Sequence, residues 1–507
     1  MRGNSAGAGK RWRLAAAIAI ALAIGGACIA NADIKQRDKL AAPDGAANDQ
    51  FGTAVAVDGH TLVVAAPGKQ VGSNAGQGAL YVYSDEDTGS WEKVATLTAK
   101  TGDAGDAMGS STYGSGVAIS GNTIVASTFG RTTSGDPKCG AYVFTRKGSN
   151  PSDWAKASQA QLQASDAGSL NFHCSVGPVA ISGDNLALAG RHSGSLDGAV
   201  YVFKRSNQGD WTQKQRLVEG DDTCCFGLAL AMDGDNFVIT DENIAYVYGL
   251  QGGKFQKTAT LHPPETNFSF GVSAAISGNT VAIGSVHYLP TGASEYSQAA
   301  YVYSASGHLL AKLTDPKAIE NEGSNHGGSV ATDGGLVIEG NPVQPAKGHT
   351  TQDSTNYTGM VDAWTKPPGG WSNSSNPIQV YADDAEPLSN LGGAVAMTSK
   401  ELFAGSPRRN SQQGATYIFG VVSKVVLKVE ESGSGDGAVK SDPPGINCGK
   451  MCRASFEPGA HVKLTADPKK GSKFAGWSGS GCSGNDPKCK VAMSVSRTVK
   501  AKFADKH

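Results

Sequence analysis

Nine cysteines carry the densest potential chemistry in this 507-residue chain. Four fall near the C-terminus, with three residues between Cys448 and Cys452 and six between Cys482 and Cys489. These are loose versions of the paired spacing with which thiolates hold zinc. The same spacing suits disulfides, and the compartment decides between the two. Cys224 and Cys225 are adjacent, able to close a strained vicinal bridge or to reach elsewhere. The ten histidines are scattered, with no two at metal-ligand spacing. The chain holds no G-x-S-x-G elbow, no H-E-x-x-H helix and no G-x-x-x-x-G-K-[ST] loop. No catalytic residue, cofactor or metal is therefore expected. What remains is a dispersed set of cationic and aromatic residues suited to recognition: Arg131, Arg191, His192, His287, Tyr288, Tyr296, Tyr357, Arg408 and Arg409.

The N-terminus speaks to the compartment. A basic start, M-R-G-N-S-A-G-A-G-K-R-W-R, runs into L-A-A-A-I-A-I-A-L-A-I-G-G-A, the two regions of a secretory signal. A cleavage site follows at Ala30, Asn31 and Ala32, so residues 1–32 are expected to leave. Removing Cys28 leaves eight cysteines, an even set that fits an oxidising compartment. The rival reading is a lipoprotein acylated at Cys28, but the preceding I-G-G-A lacks the leucine usual three positions earlier. Disulfides are then expected over zinc. Four cysteines allow three pairings, and Cys448 with Cys452 and Cys482 with Cys489 are the expected ones. No later apolar run approaches the ~18 residues of a membrane span.

Charge divides the chain. Residues 424–507 hold 15 basic and 8 acidic residues, a net +7, and the first 32 carry +4. The whole chain is −1, which leaves about −12 for the residues between. An acidic surface opposes phosphate binding, so nucleic acid is not an expected partner. A basic C-terminal module fits anionic envelope polymers.

The elements that position these residues are repeats. A phrase recurs seven times: F-G-T-A-V-A-V-D-G from Phe51, Y-G-S-G-V-A-I-S-G from Tyr113, S-V-G-P-V-A-I-S-G from Ser175, F-G-L-A-L-A-M-D-G from Phe226, F-G-V-S-A-A-I-S-G from Phe270, H-G-G-S-V-A-T-D-G from His326 and L-G-G-A-V-A-M-T-S from Leu391. The starts lie roughly 45 to 65 residues apart, the period of propellers and solenoids. After the first come T-L-V-V-A-A-P, G-A-L-Y-V-Y and W-E-K-V-A-T-L, short runs bounded by turn residues, which read as strands. D-G-H, S-G-N and S-G-D join strands one and two as tight hairpins. Four strands in each of seven repeats predict an all-β, seven-bladed β-propeller over residues 33–421. The seventh repeat ends after G-A-T-Y-I-F, while K-Q-R-D-K-L-A-A-P near the N-terminus matches a fourth strand alone. Residues near Asp38 to Ala42 are therefore expected to close the ring, protecting an otherwise open edge.

At these phrases the chain resembles FG-GAP repeats, which build the propeller of integrin α-subunit heads and of many bacterial surface proteins. The resemblance implies the fold. It does not carry over the integrin calcium loops, because M-D-G-D-N from Met232 and Y-S-D-E-D-T-G from Tyr83 lack their alternating acidic spacing. S-D-E-D-T-G-S-W is similar to the Asp-box of sialidase propellers but one residue short before Trp91. Trp91, Trp154, Trp211 and Trp371 instead mark where fourth strands begin. Residues 422–507 read as a small all-β domain similar to the divergent internalin-type B-repeat, through G-I-N-C-G, F-A-G-W-S-G and V-K-A-K-F. That resemblance implies a non-catalytic adhesive or spacer module. Trp477 is expected in its core, because so small a domain needs one aromatic anchor to bury.

Loops joining strands two and three share one propeller face with the links between blades. Here they are long and unequal, as at residues 68–77, 130–138, 287–297 and 342–358, and binding commonly sits on such loops. Cys139 and Cys174 are expected on that face, close enough to bridge. The sequence thus points to an exported binding or adhesion-type protein that recognises a protein or glycan. The alternative is an enzyme, a hydrolase or lyase acting on an extracellular polymer, since propellers host many chemistries.

Overall fold

The computed structural model describes residues 32–110, 114–128, 140–165, 177–191, 198–219, 225–265, 268–288, 296–316, 328–345, 357–449 and 451–506. Arg131, His192, Cys28, Cys139, Cys174 and Cys224 lie outside them, as does the signal-like segment.

The second and third strands of the repeats are largely apolar on both faces, and they are largely buried on both. Thr61–Ala66 and Ala79–Ser84 show no exposed residue, the pattern of strands sandwiched between neighbouring sheets. Fourth strands alternate instead, as Trp211–Leu217 does, and face solvent on one side. Seven four-stranded antiparallel sheets result. Their innermost strands are Val55–Asp58, Val117–Ser120, Val179–Ser182, Leu230–Asp233, Phe268–Ser277, Val330–Thr332 and Val395–Met397. Each touches the next, and the last touches the first, so the sheets form a closed ring of blades. Apolar clusters fill the seams, with Trp91, Trp154 and Trp371 buried among them.

The repeated phrase has a mechanical use at the ring's inner turns. Gly59, Gly121, Gly183, Gly234 and Gly278 all take φ between 54° and 58° at the first central turn position, where a two-residue hairpin wants glycine. The residue before the first four of these glycines then latches to the next blade. Asp58 Oδ2 accepts from the Gly121 amide at 2.6 Å, Ser120 Oγ from Gly183 at 3.0 Å, Ser182 Oγ from Gly234 at 2.9 Å and Asp233 Oδ2 from Gly278 at 2.6 Å. A second glycine position permits close approach. Gly414 has φ 89°, and a Cβ there would lie 2.0 Å from the Phe51 carbonyl of the adjoining blade.

Ring closure uses the N-terminal strand. Ala32–Leu40 pairs antiparallel with Ala415–Ser423, with Asp38 opposite Ile418 and Leu40 opposite Thr416. It supplies the outer strand of blade seven. Blade two corrects the alignment read from the sequence. Gly109, not Gly114, fills the place of Gly52: its amide donates to Ser127 O at 2.8 Å, as Gly52 donates to Ala65 O at 2.9 Å. Extra residues between Gly109 and Gly116 displace the recurring motif, so spacing alone misplaced it.

After Lys424 the chain forms two sheets around one core. The four-stranded sheet runs in the order Arg453–Phe456, Val425–Gly433, Arg497–Asp505 and Ser472–Gly479; the three-stranded one holds Gly437–Asp442, His461–Pro468 and Lys488–Ala492. Leu427, Val439, Leu464, Trp477, Val499 and Phe503 are buried between them. The Trp477 indole donates to Asp486 O at 2.9 Å. Disulfides join Cys448 to Cys452 and Cys482 to Cys489, as expected. Cys225 is also disulfide-bonded.

So small a core depends on its staples, each worth about 2 kcal/mol by loop closure. Reducing the folded protein is expected to expose residues 425–506 to protease first, leaving a resistant propeller fragment. Mass spectrometry of a limited digest checks this, and first cuts within the propeller would contradict it.

Candidate functional site

The inner strands all begin at the loop face, and there they leave a central funnel of about 410 Å³. Its wall collects Gln50, Thr53, Ser115, Ser273, Ser329, Asn390 and Arg408, with Val55, Leu230, Val330 and Val395 deeper in the strands. That volume is typical of a small-ligand site. Thr53 Oγ1 is held by Gln50 O at 2.7 Å, and Gln50 Nε2 by Gln412 Oε1 at 3.0 Å. The exposed Arg408 guanidinium makes no ion pair among the described residues and is the one charged group among the described lining.

Backbone strain gathers around this mouth. Gln50, Leu388, Asn390, Asn410, Ser411 and Gln412 have φ of 58°, 60°, 57°, 48°, 53° and 63°. Such conformations cost energy, and they collect at sites where surrounding structure imposes them. Here the imposed geometry is the stitching of blades, in which the Gln50 amide donates to Gln412 O and the Leu388 amide to Tyr357 O.

Around the rim, blades are tied by an acid held between a tyrosine and a cation. Tyr417 Oη donates to Asp384 Oδ1 at 2.8 Å, and Arg409 pairs with Asp384 at 3.1 Å and Glu386 at 2.6 Å. Burial alone would raise the Asp384 pKa, but hydrogen bonds from Lys39 and Tyr417 and the charge of Arg409 outweigh it and hold it low. Tyr81 donates to Asp44 at 2.7 Å, with Lys69 at 3.3 Å from the same carboxylate. Lys312 pairs with Glu265 at 2.6 Å, and Tyr301 reaches Glu265 at 3.3 Å. Burial, then the neighbouring carboxylates, push these phenols upward.

The structure separates the candidates read from the sequence. Arg408 enters the funnel. Its neighbour Arg409 is committed to the rim ion pairs, with 12% of its side chain exposed. Tyr357 is 8% exposed and bridges to Pro345, so it is no solvent-facing loop residue. The spacing predicts a loop at His287, Tyr288 and Tyr296, but they belong to strands Thr280–Tyr288 and Tyr296–Ser304, with Tyr288 opposite Tyr296. Arg191 ends the strand Asn185–Arg191. Gln50 and Asn390 were missed. Each directly precedes a repeat phrase, in Q-F-G and N-L-G, and that shared position was the available signal.

A closed ring of seven sheets followed by a disulfide-bearing β domain defines a β-propeller protein with a C-terminal β module. A family model described as FG-GAP repeat matches residues 34–83 and 91–144, and one described as divergent InlB B-repeat domain matches residues 441–507. The chain carries FG-GAP repeats and a divergent InlB B-repeat domain. No curated protein matches it. Among solved structures it is similar to Hsv2 of Kluyvelomyces marxianus, at 11% identity and TM-score 0.33, covering 66% of this chain and 83% of that one. It is also similar to a protein from Lactobacillus plantarum, at 14% identity and TM-score 0.38, covering 68% of this chain and 86% of that one. At those scores neither likeness bears on function.

Proposed function

We propose that the chain is an exported, non-catalytic binding protein. Its propeller recognises a protein or glycan at the funnel mouth, and its C-terminal domain tethers or spaces it at an envelope surface. The observation that carries this reading is the funnel: an open, otherwise uncharged wall in which amides and hydroxyls are interspersed with alanine, valine and proline, and Arg408 is a guanidinium with no ion pair among the described residues. Such a wall matches hydroxyl-rich or peptide surfaces, and the guanidinium selects an acidic group on them by charge-assisted hydrogen bonds. Acid–base turnover calls for a carboxylate, imidazole or thiol at the reacting atom, and the described lining offers none of these. The disulfides fit an oxidising compartment, and no helix among the described residues is long and apolar enough to cross a membrane.

On a glycan and envelope-protein array, the mature chain is expected to retain acidic ligands, and Arg408→Ala to weaken retention roughly ten- to hundredfold, the worth of a charged hydrogen bond. Arg409→Ala, acting at the rim, is expected to lower thermal stability more than affinity. Retention on no component, or hydrolysis of a polymer substrate, would overturn the reading.

A further inference from the structure

Blade six breaks the chemistry that the other six blades share. Opposite each inner strand, the second strand presents Val64, Ala126, Leu188, Ile239, Ile283 or Ala404. Each of these lies opposite a third-strand tyrosine: Tyr81, Tyr142, Tyr201, Tyr246, Tyr301 or Tyr417. In blade six the same two positions are Glu339 and Asp362, directly opposite one another. An aliphatic–tyrosine pair has become two facing carboxyls.

Both are inside the protein, at 1% and 0% exposure. Their neighbours on the same face, Val337 and Trp364, pack against Ala300, Val302 and Leu313 of blade five, so the pair lies at the seam between blades five and six. Asn341, two residues beyond Glu339 and 1% exposed, donates Nδ2 to Asp362 Oδ2 at 2.5 Å. Glu339 Oε1, Asp362 Oδ1 and Asn341 Oδ1 are buried without a hydrogen-bond partner among the described residues. No ion pair among the described residues involves either acid. Burial foremost, then Asp362's charge, raises the Glu339 pKa well above normal, and burial with Asp315 does the same to Asp362.

We propose that Glu339, Asp362 and Asn341 form a binding site for a hard divalent cation, Ca²⁺. Cross-strand partners stand close enough for like charges to repel, and buried carboxylates left unpaired are costly. A doubly charged ion between them turns repulsion into attraction and employs all three idle oxygens. The donor set is oxygen only, two anions and one amide, which suits calcium; bidentate carboxylates, backbone or water complete its six to eight ligands. Asp315 stands outside the set, because Asp315, Glu339 and Asp362 do not bring ligand atoms within 4.8 Å of one another. The site is remote in sequence from the strand-one hairpins and independent of the funnel proposal.

The test uses the intact mature chain, stripped with EGTA. Equilibrium dialysis is expected to find one tightly held calcium, and millimolar calcium chloride to raise Tm by several degrees, as ligand linkage requires, with magnesium less effective. The isosteric pair Glu339→Gln and Asp362→Asn is expected to fold, by circular dichroism, and to lose that calcium. No bound calcium in the native chain, or an unchanged calcium effect in the double variant, overturns the site. A Tm that falls with rising pH equally with and without calcium would assign the pair a shared proton instead. Lys317 follows Leu313 by four residues, as Asp44 follows Leu40 and Glu265 follows Leu261. Loss of stability in Lys317→Ala that calcium does not restore would make an ammonium the neutralising group, which also overturns it.

Discussion

Deleting residues 32–40 is expected to unfold the propeller rather than trim its edge. The strand Ala32–Leu40 is paired along its length with Ala415–Ser423, and net hydrogen bonds contribute about 0.5–1.5 kcal/mol each. Ile34 and Leu40 are buried by it, at 8% and 7% exposure, adding about 1.5–3 kcal/mol apiece. Arg37 also pairs with Glu401 at 2.5 Å, while the Trp91 indole of blade one donates to the same carboxylate at 2.9 Å. Glu401 is 5% exposed, so closing strand, blade seven and blade one share one buried acceptor. The summed loss rivals the ~5–15 kcal/mol that a folded domain has in total. It also opens a strand edge to other chains. Size-exclusion chromatography is expected to show aggregate, and calorimetry no cooperative propeller transition; a monomer with an unchanged Tm would contradict this. Glu401→Ala is the milder probe. It leaves the indole N–H without its acceptor, at about 1–3 kcal/mol, and is expected to fold with a lowered Tm.

In calcium-free solution, the Glu339–Asp362 pair is expected to make stability fall as pH rises above the ordinary carboxylate range, where the low-lying rim acid Asp384 is already ionised. Glu339 and Asp362 sit above their ordinary values of 4.5 and 3.8 when folded. The folded chain therefore keeps protons that the unfolded chain releases, and linkage makes stability decline with pH in that range. Below the ordinary values both states are protonated and the contribution is complete. Above them it is lost progressively, until the raised folded values are passed. Replacing the pair with the residues of blade one, Glu339→Val and Asp362→Tyr, is expected to flatten the profile. It should also add about 1–4 kcal/mol at mildly alkaline pH, as when buried charges give way to packed apolar groups. Urea unfolding across a pH series measures both effects. A flat profile in the unsubstituted, calcium-free chain would remove the electrostatic premise.

Much of this molecule was determined by local sequence. Period-two alternation and glycine-centred hairpins define strands wherever they occur, because side-chain direction and turn conformation are set within a few residues. That local rule produced the inner strands, the D-G and S-G turns and the number of blades. The unmatched fourth strand near Asp38 was legible too, because an edge left open at residue 420 needed an outer strand and one was spare. Close cysteine spacing likewise made Cys448–Cys452 and Cys482–Cys489 readable.

Tertiary structure alone decided who faces whom. Arg408 and Arg409 are adjacent and chemically identical, yet one lines the funnel and the other is locked by Asp384 and Glu386. Gln50 and Asn390 meet Arg408 only because the ring brings distant links to one mouth. Glu339 and Asp362 are visible in the sequence as departures from an apolar pattern, but that they confront each other follows from a register spanning a long loop. Strand formation is a short-range property of the backbone, while register and ring closure depend on contacts between residues far apart in the chain, whose outcome no local pattern encodes.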